Sequence, residues 1–268
     1  MRSTLSLCAP AVALLCLLVA PVASPEEAPA SETATPPPAV DQFRERAASE
    51  STFAALDYLE GLGEPRTVGE AYLAVTQALI EADKDLALAV WVSRAGIRYC
   101  LKEARAHEAD APRDAAALRE TARVLAYNLA SSTWPAWETE GITPTPDDLR
   151  AGFDAAKLNL RLTQELGLGP RAEAAAHWML GAHHLARREL DGATGEFGAC
   201  EGKATEANEP VAASMAKGYL AIVQILSGEA DAGRAACDAV LSELASTDSE
   251  EARFYHDQLE RALAFFSK

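Results

Sequence analysis

The chain has 268 residues, with 24 Lys or Arg against 40 Asp or Glu, a formal net charge of −16. That balance repels phosphate backbones and anionic headgroups, so nucleic acid and membrane surfaces are not expected partners. The chain is long enough for one extended or two compact domains, and hydrophobic residues make up 49% of it.

Residues 1–23 read as a secretory signal peptide. Arg2 precedes an apolar run from Leu5 to Ala20, and small residues follow. The run is shorter than the roughly 20 residues that span a bilayer. Cleavage near Ala23 or Ser24 is therefore expected, with no membrane insertion of the mature chain. Cys8 and Cys16 lie inside this segment, each preceded by leucine (Leu7, Leu15) rather than by a lipoprotein-type triplet, which argues against lipidation. Residues 24–40, SPEEAPASETATPPPAV, are proline-rich, acidic and poor in large apolar side chains. Such a stretch buries too little surface to offset its ordering entropy and reads as a disordered linker. Arginine outnumbers lysine while isoleucine and asparagine are scarce, the usage of a GC-rich bacterial genome.

From residue 41 to 268 the pattern is helical throughout, with Ala/Leu/Arg/Glu segments and few β-branched runs. The spacing predicts helices over 41–60, 67–81, 84–107, 113–132, 146–166, 170–188, 190–207, 210–227, 229–245 and 248–266. Thr67 with Glu70, and Thr247 with Glu250, stand at capping-box spacing. Thr145 is the expected cap of the 146–166 helix, with Pro146 at its first position and Asp147 and Asp148 where the helix dipole favours negative charge. Most connections are two to five residues long, which forces consecutive helices into antiparallel hairpins. The stretch 131–145, STWPAWETEGITPTP, is the exception and carries Trp134 and Trp137, two of the four tryptophans. It is either a binding element or a cover for the hairpin edge. Pro135 stiffens the turn between the rings and predicts one buried ring and one partly exposed.

A motif recurs along these helices. LDGATGEF (from Leu190), FDAAKLNL (from Phe153), ADAGRAAC (from Ala230) and, more faintly, KDLALAVW (from Lys84) share an Asp, a small residue two positions on and a larger one four beyond that. The spacing Leu180-Gly181…His184…Ala193…Phe197 resembles the tetratricopeptide repeat, whose period is about 34 residues. Departures are His177 where Trp is common, His184 where Tyr is common and Thr205 where Pro is common. The resemblance implies an all-α, right-handed solenoid of about four antiparallel hairpins, with a leading helix and a C-terminal capping helix. It further implies that Gly181 and Ala193 are close-contact positions between helices. The first helix of each hairpin would then line a groove for a protein or peptide partner. Carried over residue by residue, the groove positions are Trp178, Ala182 and Leu185 in one copy and Met215, Ile222 and Ile225 in the next, and these can equally be interhelical core.

For chemistry the sequence offers little. It contains no Gly-x-Ser-x-Gly, no phosphate-cradling glycine loop, no Cys-x-x-Cys and no His-Glu-x-x-His. No cofactor is expected, and the chain reads as a non-catalytic scaffold. The alternative is a metal-binding protein or enzyme using Glu173, His177, His183 and His184, whose spacing brings several to one helix face. Cys100, Cys200 and Cys237 stand at apolar helical positions and read as small core residues, with a Cys200–Cys237 disulfide left open.

Overall fold

The computed structural model describes residues 38–268, so the expected signal peptide and most of the expected linker lie outside the described residues. Regular structure among the described residues is entirely helical. In chain order the helices are α1 (Pro38–Ser49), α2 (Thr52–Glu60), α3 (Pro65–Glu81), α4 (Leu86–Ala106), α5 (Pro112–Thr133), α6 (Pro146–Glu165), α7 (Pro170–Ala186), α8 (Leu190–Glu206), α9 (Pro210–Leu226), α10 (Ala230–Ser246) and α11 (Glu250–Phe266). A 3₁₀ turn, Pro135–Trp137, stands between α5 and α6. From α3 onward, consecutive helices pack on one another along the chain in a solenoid-like arrangement. No helix among the described residues is long and apolar enough to cross a membrane.

Several boundaries differ from expectation for identifiable reasons. Pro38 to Val40, assigned above to the linker, already belong to α1, where Val40 is buried. The expected 41–60 helix is two helices. Ser51 is extended (φ −170°, ψ 163°), and its hydroxyl accepts from the Ala54 N–H, starting a new helix. Thr67 is not a cap, because the helix begins two residues earlier, at Pro65, whose fixed φ suits a first helical position. Thr247 is not a cap either: its hydroxyl donates backwards to the Glu243 carbonyl at 3.0 Å, and Ser249 accepts from the Ala252 N–H instead. Thr145 does cap α6. Its hydroxyl accepts from the Asp148 N–H while the Asp148 carboxylate accepts from the Thr145 N–H at 2.8 Å.

The C-terminal half is strictly periodic. Helices α7 to α11 each span 17 residues and begin at 170, 190, 210, 230 and 250. Hairpins there recur every 40 residues, longer than the roughly 34 of the resembled repeat. Three of the connectors place their middle residue in the left-handed region: Arg188 (φ 58°), Asn208 (φ 58°) and Gly228 (φ 103°). Only the glycine adopts that conformation without steric cost.

Gly181 marks a close helix contact. A Cβ there would stand 2.8 Å from Phe197 Cδ1 and Cε1 on α8, and Ala193 is fully buried in the same α7–α8 pair. The turn of packing gained offsets the roughly 1 kcal/mol that glycine costs inside a helix. Gly233 repeats the device, its missing Cβ 2.7 Å from Ile225 Cγ1. Gly181→Leu and Ala193→Leu are each expected to lose about 1–3 kcal/mol through overpacking. A urea titration in which both unfold like the parent chain would refute this hairpin register.

Candidate functional site

The positions expected to line a groove on the first helices are covered by the chain itself. Trp134, fully inside at 2% exposure, sets its indole edge-on against Trp178 of α7 (5.6 Å between centroids). Its Nε1–H donates to the Ala182 carbonyl at 3.1 Å. Trp137 is half-buried and lies between Trp178 (6.1 Å) and Phe254 of α11 (6.4 Å). Trp178, Ala182, Leu185, Met215 and Ile222 are all buried. Over α9, helix α11 supplies the cover: Gln258 donates to the Tyr219 hydroxyl at 2.9 Å, and Leu259 packs where a Gly218 Cβ would stand. Ile225, half-buried, leans on Gly233 of α10. The Trp134 loop therefore packs as a cover, with one ring inside and the other partly open.

The four residues of the candidate metal face each have a separate partner. Glu173 pairs with Lys203 (2.8 Å), His177 Nδ1 meets Glu196 (2.7 Å), and His184 Nδ1 meets Glu189 (2.8 Å). His183 is buried, its Nε2–H donating to the Ala130 carbonyl on α5 at 2.9 Å. Burial lowers the His183 pKa to about 4, against a partial offset from that hydrogen bond. Among the described residues, the trio whose ligand atoms lie within 4.8 Å of one another is instead His256, Asp257 and Glu260, on the outer side of α11. Cys100, Cys200 and Cys237 are free thiols in the core. Burial pushes Cys100 and Cys200 up to about 12, so they are inert as nucleophiles.

An open site lies elsewhere, between α4 and α6. A groove of about 690 Å³ runs between these helices, floored by Ile97 and Leu101 of α4, Leu129 of α5, and Ala151, Ala155 and Leu158 of α6. Arg94 and Arg98 of α4 and Arg150, Asp147 and Asp154 of α6 form its polar rim. Arg150 pairs with Asp147, and Lys157 holds Asp154 at 2.7 Å. Arg94 and Arg98 are exposed and, among the described residues, neither hydrogen-bonded nor ion-paired.

The exposed face of α4 continues past the groove to Trp91. Trp91, the larger residue of the faintest repeat copy, is 49% exposed and meets Phe53 of α2 edge-on at 5.3 Å. Phe53 is itself 65% exposed. The sequence signal for this face was the spacing Trp91, Arg94, Arg98, which puts all three on one side of a helix. Compared with known protein families and with curated proteins, the chain matches none.

Proposed function

We propose that the chain is an exported, non-catalytic protein-interaction or assembly module built from tetratricopeptide-like hairpins. The observation that carries this reading is the open α4–α6 groove, with Arg94 and Arg98 on its rim, apolar residues on its floor and the exposed Trp91 beyond it on the same face of α4. Tryptophan and arginine are the side chains that dominate binding energy at protein interfaces. The close Gly181–Phe197 contact supports the tetratricopeptide reading, while the 40-residue hairpin period departs from it. Partner binding moves on this reading from the first-helix face, which the chain covers itself, to the second helices α4 and α6. Crosslinking in the cells that make the protein, followed by purification, should recover one protein in near-equal amount with it. The same sample should show a mature chain beginning near residue 24 or 25 by intact mass. Recovery of an uncrosslinked monomer overturns the interaction reading, and a chain retaining Met1 overturns export.

A further inference from the structure

We infer that the α4–α6 groove receives an acidic amphipathic helix of another protein, its carboxylates set on Arg94 and Arg98 and its apolar stripe on the Ile97–Leu101–Leu158 floor. The inference rests on the interaction reading above and names the kind of partner.

Charge complementarity selects the occupant. The chain carries an excess of acids, yet both acids of this groove already hold cations of their own, Asp147 with Arg150 and Asp154 with Lys157. Among the described residues, what remains unpaired at the groove is positive, on Arg94 and Arg98. Charges farther off than a Debye length of about 8 Å at physiological salt are largely screened, so the groups lining the groove weigh most in what approaches. A planar guanidinium matches a carboxylate with two parallel N–H donors.

Spacing selects the secondary structure. Arg94 and Arg98 are four residues apart on one helix, about 6 Å along its axis. Carboxylates one turn apart on a partner helix present the same interval. Trp91 to Leu101 covers about 15 Å of α4, the length of roughly three turns of partner. An apolar stripe at helical spacing on that partner then lies over Ile97, Leu101 and Leu158. This is recognition of a helix laid in a groove. At the far end, Trp91 and Phe53 offer two exposed rings to an apolar residue.

The test uses a fluorescent three-turn amphipathic peptide with glutamates one turn apart and leucines along the adjoining stripe, and its glutamine counterpart. Titrated into the mature protein, the glutamate peptide is expected to bind saturably and the glutamine peptide at least about tenfold more weakly. Arg94→Glu and Arg98→Glu are each expected to weaken binding at least about tenfold. Arg234→Glu, the same charge change on α10, is expected to leave it unaltered. Arg94 and Arg98 are exposed, so these variants should keep the parent melting temperature, measured in parallel.

Equal weakening by all three variants would assign the binding to bulk charge and overturn the proposal. Absence of saturable binding by the glutamate peptide overturns it as well. So does a concentration-dependent dimer dissolved by Arg94→Glu, which would make a second copy the occupant. A cellular partner still held by the Arg94→Glu and Arg98→Glu variants would leave the interaction reading standing and remove this one.

Discussion

Trp134→Ala is expected to cost about 3–5 kcal/mol of stability, the range for removing a large aromatic side chain from a packed interior. The ring is 2% exposed and touches Trp137, Trp178 and Tyr219 with centroids 5.0, 5.6 and 6.2 Å away. Its N–H is also spent on the Ala182 carbonyl. Trp137→Ala should cost less than half as much, because that ring is only half-buried. Acrylamide quenching of single-tryptophan variants, each keeping only Trp134 or only Trp137, should find Trp134 protected and Trp137 reachable. If Trp134→Ala unfolds at the parent urea concentration, the loop is not part of the core.

The second large effect is a loss of stability in mild acid through His183. Its pKa is about 4 in the folded chain against an ordinary value of 6.5. Below pH 6.5 the unfolded chain therefore takes up a proton that the native site refuses, and stability falls as pH falls. The decline continues to about pH 4 and then levels off, because below that point both states are protonated. Over the full window it amounts to about 3 kcal/mol. The cause is local: the imidazole is buried beside Gly152, with His184 and Arg187 adding unfavourable positive charge, and the hydrogen bond to the Ala130 carbonyl offsets only part of this. His183→Gln, which keeps a donor and loses the titration, is expected to flatten this part of the stability-against-pH curve. An acid sensitivity equal to that of the parent would remove His183 as its source.

Much of the fold could be read from the sequence because its signals are local. Helix periods, short connectors and the Thr145–Pro146–Asp148 start are written within a few residues of one another. Gly181 was legible for the same reason, as a small residue at a fixed offset from Ala193 and Phe197. The split between α1 and α2 was missed although the run Ser49-Glu50-Ser51-Thr52 announces a cap. Helical spacing on either side of it is the stronger local pattern. Boundaries at Thr67 and Thr247 failed where proline or a second hydroxyl competed for the same role.

The groove was not legible in this way. Its two walls come from Arg94–Leu101 and Asp147–Leu158, with all of α5 between them in sequence. How far apart α4 and α6 stand depends on packing against α5, which no short pattern encodes. The cover over α7 and α9 is likewise long-range, joining Trp134 to Ala182 across 48 positions.

The return of α11 to the 3₁₀ turn ties the last helix back to the middle of the fold. Lys268 holds Glu138 at 2.8 Å across 130 positions, Arg188 donates to the Phe266 carbonyl at 3.3 Å, and Phe254 meets Trp137. In an open stack each unit is supported only by its neighbours, and the terminal units fray first. Here the last helix touches Trp137 of the tryptophan cluster, so the segment from Trp134 to the C-terminus is expected to melt as one block, checked by hydrogen exchange along α7 to α11. Such a block also forms late in folding, since contacts over so great a separation must wait for loop closure. At the opposite end the ties are shorter in sequence: Arg44 of α1 donates twice to Asp83 at 2.9 Å across 39 positions, and Phe53 of α2 meets Trp91 of α4.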